Sequence, residues 1–357
     1  MTSRRMWLSA LTVLAALLLA MGAAACGGDD DGEGGAATTA ETQAEAVTAG
    51  LVSDVGRFND KSFNQSALEG LNRAKDELGA ETRAIESRAA GDYVPNLSSL
   101  ARQNYDVSIG VGFLLAEGVN TVARQFPDAN FAIIDYSVMA PPFTDAKKNV
   151  ATPDNVRGLT FATNENSYLI GCMAAMMVKA QGGEQVISAV GGLDIPTVSI
   201  FIAGYQDGAK ACNPDIKVLI GFSQDFGAQD KCKELALNQI AQGSQAVFQV
   251  AGGCGLGALD AAKEKGKWGI GVDKDQSDLG PHILTSAVKR VDVAVFDTVK
   301  AIQEGTYEGG TDALFNLENE GVAIGTTSDK VTQDILDKVD ELKQQIIDGT
   351  IKPKSSL

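Results

Sequence analysis

From residue 48 onward, short apolar runs alternate with helix-length segments whose apolar positions recur every three or four residues. The runs predict strands at 50–54, 82–86, 106–111, 129–135, 157–162, 185–191, 216–221, 246–251, 268–273 and 282–288. Helical patterns lie between most of them, at 63–78, 165–180, 197–211, 228–242 and 256–265, and a last one covers about 329–347. Strict alternation of this kind predicts an α/β protein with parallel sheets. Four strands precede a Pro- and Lys-rich loop, "YSVMAPPFTDAKKNVATPDN" at 136–155, and a second βα series follows it. Two doubly wound lobes fit this better than one continuous sheet. The strands near 157–162 and 282–288 are the expected crossovers. The expected first lobe is 48–158 with about 286–310, and the second is 159–285 with about 311–357.

The pattern differs before residue 48. Arg4 and Arg5 precede an apolar run from Met6 to Met21 and a small-residue stretch ending at Cys26. That is the layout of a secretory signal peptide over 1–25, too short in its apolar part for a comfortable membrane span. A cysteine directly after the small residues predicts lipidation of Cys26, although Ala23 stands where a lipobox usually has Leu. Lipidation would hold the chain to the outer face of the cell membrane without crossing it. An ordinary leader cut before a chance cysteine is the alternative. Residues 27–47, "GGDDDGEGGAATTAETQAEAV", offer almost nothing to bury and read with Cys26 as a disordered tether.

Charge and rare residues narrow the chemistry. The net charge of −16 becomes −18 without Arg4 and Arg5, which argues against a nucleic-acid polymer as partner. Only one histidine is present, His282, after Gly-Pro at the head of a strand, so a histidine-based triad or metal site has little to stand on. Four cysteines remain beyond Cys26, an even number in an exported chain, and three disulfide pairings are open. Cys212–Cys232, which brackets one strand, is the expected bond, leaving Cys172–Cys254. None of the four shows the C-x-x-C spacing of a zinc site. No metal or cofactor is expected.

In open α/β sheets, ligands gather beyond the carboxyl ends of the strands. The residues found there are Asp54, Asp135, Gly191-Gly192, Gly252-Gly253, Asp273 and Lys289. They are acids, glycines and one lysine, with no obvious nucleophile. Asp54 opens the densest stretch, "SDVGRFNDKSFNQS" at 53–66. Ser62 and Gln65 stand at capping-box spacing, so this stretch can be read simply as a helix start. A cap there also sets Phe63 in the first turn at the mouth of a cleft, with Asp54, Asn59, Asp60 and Asn64 around it. A ring flanked by amides and carboxylates suits a flat heterocycle, stacked on one face and read at its edge.

"DVGRFNDKSFNQSALEGL" resembles the opening motif of the basic membrane protein (BMP) family, lipoprotein solute receptors that include purine nucleoside receptors. The resemblance continues through "VGGLDIPTVSIFIAGYQDGAK", "KELALNQIAQG", "VFQVAGGCGLGALDAAKEKGKWGIGVDKDQ" and "ILTSAVKRVDVAVFD", in order over nearly the whole chain beyond the tether. It implies a type I periplasmic-binding-protein fold, two Rossmann-like lobes closing on a ligand, and delivery of that ligand to an ATP-binding-cassette permease with its ATPase subunits. It also implies a nucleoside between the lobes, with Phe63 and Phe201 as the two faces around the base. Asp54, Asn59 and Asp60 would read the base edge. Asp273, with Gly252 or Gly253 and Lys289, would hold the ribose, and Asp135 is a further candidate. Cys254 stands where the family has a small polar residue, and Arg57 where a smaller one is common.

Each role has a plainer reading. Phe201 lies in the apolar run "TVSIFIAGY" and on its own reads as core, and Lys289 with Asp273 could be an ordinary salt bridge. Two other functions compete. Gly253, Gly255 and Gly257 with Asp273 imitate a dinucleotide fingerprint, but the spacing is G-x-G-x-G rather than G-x-G-x-x-G, and export removes the chain from the nicotinamide pool. A surface sensor without a transport role would share the anchor, tether and fold.

Overall fold

The computed structural model describes residues 46–357. The leader over 1–25, Cys26 and all of the tether but Ala46 and Val47 lie outside them. The chain begins with β1 (Thr48–Val55), α1 (Phe63–Leu78), β2 (Glu81–Ser87), α2 (Tyr93–Arg102), β3 (Val107–Val111), α3 (Ala116–Gln125), β4 (Asn130–Ile134) and β5 (Val156–Phe161). It continues through α4 (Thr163–Gln181), β6 (Val186–Gly191), α5 (Pro196–Cys212), β7 (Lys217–Phe222), α6 (Gln229–Ala241), β8 (Ala246–Val250), α7 (Gly252–Glu264), β9 (Trp268–Asp273) and β10 (Ile283–Lys289). The last elements are α8 (Val291–Gln303), β11 (Asp312–Phe315), β12 (Val322–Ile324) and α9 (Gln333–Ile347).

Two six-stranded sheets result, ordered β11-β5-β4-β3-β1-β2 and β12-β10-β9-β8-β6-β7. All neighbouring strands run parallel except β12, which pairs antiparallel with β10. Helices cover both faces, so β3, β6, β8 and β9 are buried at every position. That is why those strands read as continuous apolar runs rather than as alternations. This is the two-lobed type I periplasmic-binding architecture expected from the alternation and the resemblance.

The chain passes between the sheets at three places: after β5, after β10, and between β11 and β12. The sequence division grouped about 286–310 with the first lobe and about 311–357 with the second. Instead, β10 stays in the second sheet to Lys289, and β11 returns to the first sheet beside β5. At four and three residues, β11 and β12 are too short to show a period.

The expected disulfides are not formed. Cys172 is bonded to Cys212, and Cys232 to Cys254, with Cα–Cα distances of 5.2 and 5.6 Å. Helix packing decides the pairing. Cys172 in α4 meets the end of α5, and Cys232 in the first turn of α6 meets the first turn of α7. Bracketing a strand brings Cys212 and Cys232 no closer, because β7 runs the length of the sheet between them.

Candidate functional site

Both sheets have the order 2-1-3-4-5 among their first five strands, so each has a switch point where successive connections leave in opposite directions. In the first lobe it lies between β1 and β3, in the second between β6 and β8. A crevice opens there by topology alone. A cleft of about 1120 Å³ lies between the carboxyl ends of the two sheets. Asp54, Asn59, Asp60, Phe63, Asn64, Asp135, Phe201, Gly252, Gly253, Asp273 and Lys289 all line it, and so does Arg57.

The first-lobe wall is built by Asp60. Its Oδ1 accepts from the backbone amides of Ser62 and Gln65, at 2.9 and 3.0 Å, and its Oδ2 from the backbone and side-chain amides of Asn64, at 3.0 and 3.1 Å. Those four bonds fill the carboxylate's acceptor sites, so Asp60 fixes the start of α1 rather than meeting a ligand. The capping box expected at Ser62 and Gln65 is absent. The Ser62 hydroxyl instead crosses the cleft and donates to Asp273 Oδ2 at 2.6 Å. The cap leaves Phe63 half-buried in the first turn, and Asn64 94% buried with its Oδ1 unpartnered.

Asp54, next to last in β1, is 8% exposed. Gly112, at φ 119°, makes room for it, since a Cβ at that position would sit 2.2 Å from Asp54 Oδ2. Burial, then the charges of Asp135 and Asp60, push the Asp54 carboxyl up to about 7.

Lys289, at the crossing after β10, holds the centre. Its Nζ donates to both oxygens of Asp135, at 2.5 and 2.6 Å, and the two side chains are 2% and 11% exposed. The amine also lies 4.7, 4.8 and 5.8 Å from the ring centroids of Phe63, Phe161 and Phe201. Asp135 and Asp273 both take left-handed backbone conformations, φ 69° and 62°, which non-glycine residues seldom adopt. Such outliers collect at binding sites. Burial raises Asp273 to about 6, with Lys289 and the Ser62 hydroxyl pulling it down and Asp60 and Asp135 pushing it up. A buried amide pair braces the second-lobe wall: Gln249 Nε2 donates to Gln276 Oε1 at 2.9 Å, and Gln276 Nε2 reaches the Lys61 carbonyl at 3.1 Å.

The whole described body, residues 47–356, matches the family model of PnrA-like ABC-transporter substrate-binding proteins. The chain belongs to the Bmp family. Among its relatives is the "ABC transporter nucleoside-binding protein BmpA" of Lactococcus lactis, 35% identical over 325 residues, covering 85% of this chain and 88% of that one. The "CD4+ T-cell-stimulating antigen" of Listeria monocytogenes is 34% identical over 327 residues, with 85% and 87% covered. A similar solved structure is a solute-binding protein of an ABC transporter system from Aeropyrum pernix K1, at 28% identity and a TM-score of 0.77, covering 86% of this chain and 92% of that one. This is an ABC-transporter substrate-binding protein.

Several cleft residues escape the sequence reading, Phe113, Leu193 and Phe226 among them. Phe226, in the loop after β7, is half-buried and lines the cleft beside Gly252 and Gly253, whereas Phe201 is 2% exposed and meets Phe248 edge-on at 6.3 Å. The Phe226 carbonyl accepts from the Cys254 amide at 2.9 Å, tying its loop to the start of α7. The rule that picked out Asp54 and Asp273, applied to the run at 216–221, stops at the end of β7 at Phe222, four residues short of Phe226.

Proposed function

We propose that the cleft binds a nucleoside, with a purine as the base, and that the closed, loaded form is handed to an ABC permease powered by separate ATPase subunits. The observation that carries this reading is the meeting of aromatic faces and buried carboxylates at one point between the lobes. Phe63 supplies one face for the base, and Phe226 and Phe201 supply the facing side. Asn64 Oδ1 and Asp54 meet the edge of the base, with Asn59 at the rim. Asp273 accepts from ribose hydroxyls, Lys289 donates to the sugar and holds Asp135, and Gly252-Gly253 allow close backbone approach. A phosphate would meet Asp54, Asp135 and Asp273 against one buried lysine, so the uncharged nucleoside fits and the nucleotide does not. Contacts to both lobes favour the closed form by their differential affinity, and no covalent step is needed. The leader and Cys26 support an exported chain, anchored by lipid to the outer face of the cell membrane. Among the described residues no helix is long and apolar enough to cross a membrane.

Calorimetry with adenosine, guanosine, inosine, cytidine and uridine tests the reading, with a neutral sugar and a nicotinamide dinucleotide as controls. Tight binding of the purine nucleosides is expected. Silence across all five, in folded protein freed of carried-over ligand, would overturn it.

The aromatic faces can be separated by substitution. Phe63→Ala and Phe226→Ala should each weaken nucleoside binding by roughly 1–3 kcal/mol, the range for base–aromatic stacking. Phe201→Ala should lower the unfolding midpoint as well as the affinity, because that ring is also core. Unchanged affinity in Phe63→Ala and in both other variants would remove the sandwich.

A further inference from the structure

The first-lobe wall of the cleft changes sign along its length. The strand order β4-β3-β1-β2 sets the strand ends in a row, about 14 Å from β4 to β2 at the usual spacing of about 4.8 Å. Asp135, bonded to Lys289, follows β4, and Asp54 lies near the end of β1. At the far edge stand two cations, Arg57 beyond β1 and Arg88 beyond β2. The backbone holds these two together. Val55 pairs with Ser87 in the parallel register, so the arginines leave neighbouring strand ends two residues and one residue later. The Ser53 hydroxyl donates to the Gly56 carbonyl and accepts from the Ser87 amide, at 3.1 and 3.3 Å, and Glu86 Oε1 accepts from the Phe58 amide at 2.8 Å. The loop that carries Arg57 is thus pinned to the end of β2. Both arginines are exposed and line the cleft, and among the described residues no carboxylate stands within ion-pair distance of either. Across the cleft, the loop after β7 brings Asp225, but Lys231 and the amides of Gly227 and Ala228 already hold its carboxylate.

Resting on the nucleoside reading above, we infer that the cleft takes a purine nucleoside whose exocyclic base nitrogen carries an acidic substituent, and that Arg57 and Arg88 are the specificity-determining residues that bind its carboxylate. A plain nucleoside, with its ribose toward Asp273 and Lys289 and its base edge at Asp54 and Asn64, leaves the β2 side of the cleft empty. The cleft volume, about 1120 Å³, exceeds the roughly 300–1,000 Å³ of most small-molecule pockets, so there is room for more than a base and a sugar. A singly substituted exocyclic amine keeps one N–H for Asp54 or Asn64 Oδ1, and its substituent leaves the base edge toward the arginines. The guanidinium fork matches a carboxylate with two parallel hydrogen bonds, and two forks face one acid here, Glu86, which has an oxygen tied to the Phe58 amide. A phosphate on the sugar would lie at the opposite end, against Asp135 and Asp273. The position of the negative charge on the ligand therefore decides whether it is accepted.

Calorimetry of the exported chain with four probes tests the inference: adenosine, N6-succinyladenosine, the neutral N6-isopentenyladenosine and adenosine 5′-monophosphate, each at low and high salt. N6-succinyladenosine should bind about tenfold tighter than adenosine at low salt, the sum of two exposed charge pairs worth about threefold each. The neutral analogue and the monophosphate should bind no tighter than adenosine. The advantage of the succinyl compound should shrink as salt rises, because exposed guanidinium groups are screened, whereas a gain from shape alone would not. Arg57→Gln and Arg88→Gln should each lower the ratio of the two affinities by about threefold, and the double variant should bring it close to one. Equal affinity for N6-succinyladenosine and adenosine, a ratio unmoved in the double variant, or an equal gain from the monophosphate would overturn the inference while leaving the nucleoside reading intact. Absence of binding by all four probes would remove both.

Discussion

Lys289→Met should destabilise the folded chain by about 3–5 kcal/mol, the usual cost of stranding one partner of a buried ion pair. Lys289 is 2% exposed, and its amine is the only cation bonded to Asp135 among the described residues. Without it, Asp54, Asp135 and Asp273 stand buried with no cation among them. The three phenylalanine rings around the amine also lose their charge contact. Binding should fail for a second reason. Lys289, together with the Ser62 hydroxyl, pulls the Asp273 carboxyl down against burial, so loss of the lysine raises that group further and weakens it as an acceptor for sugar hydroxyls. Denaturant unfolding measures the first effect and nucleoside calorimetry the second. Adding Asp135→Leu should restore much of the stability, because the stranded charge goes with it, yet leave binding weak. An unfolding midpoint unmoved by Lys289→Met would mean that water reaches the pair.

The same residue shows how far the sequence reaches. Lys289 was visible because it follows an apolar run, and that rule is reliable in a doubly wound sheet: strand ends face the crevice whatever the side chains are. Strands β3, β6, β8 and β9 were legible for a related reason, since a parallel strand buried on both faces leaves an unbroken apolar run. What a residue does at the strand end was less legible. The resemblance places Lys289 with Asp273 at a ribose, and the structure adds what no strand-end rule shows, its bond to Asp135 across the lobes. Ser62 had the spacing of a helix cap, but a buried carboxylate 2.6 Å away is a stronger acceptor, and Asp60 took over the cap from two residues upstream. Phe201 and Phe226 show the limit from the other side. A phenylalanine in an apolar helix and one in a polar loop read as core and surface, yet both reach the cleft, and only packing tells how much of each ring is left for a ligand.

Pairing of the cysteines depends on which helices touch, and the two bonds should differ in consequence. Cys172–Cys212 joins α4 to α5, whose backbones approach closely because Gly171, Gly204 and Gly208 face Tyr205, Asn164 and Tyr168; a Cβ at any of the three would meet a carbonyl oxygen at 1.9–2.3 Å. On α5, Val198 and Phe201 line the cleft, and Phe201 lies about three turns before Cys212. Cys232–Cys254 joins α6 to α7, with Gly257 against the Gln229 backbone in the same manner. It lies directly behind the ligand wall: Cys254 follows Gly252-Gly253, and its amide holds the Phe226 carbonyl. Loop-closure entropy assigns about 4 kcal/mol to a bond across 40 residues and about 3.5 kcal/mol across 22. Replacing Cys172 and Cys212 by Ser should therefore lower the unfolding free energy by about 4 kcal/mol and leave nucleoside affinity close to its original value. Replacing Cys232 and Cys254 by Ser should lower stability by slightly less and also weaken binding, chiefly through faster dissociation, because the Phe226 loop and the start of α7 lose their common anchor. Peptide mapping under non-reducing conditions checks the pairing, and unfolding with stopped-flow release checks the two effects. Equal affinity in both double variants would show that the wall holds its shape through backbone bonds alone, and that the bond behind it acts only on the unfolded chain.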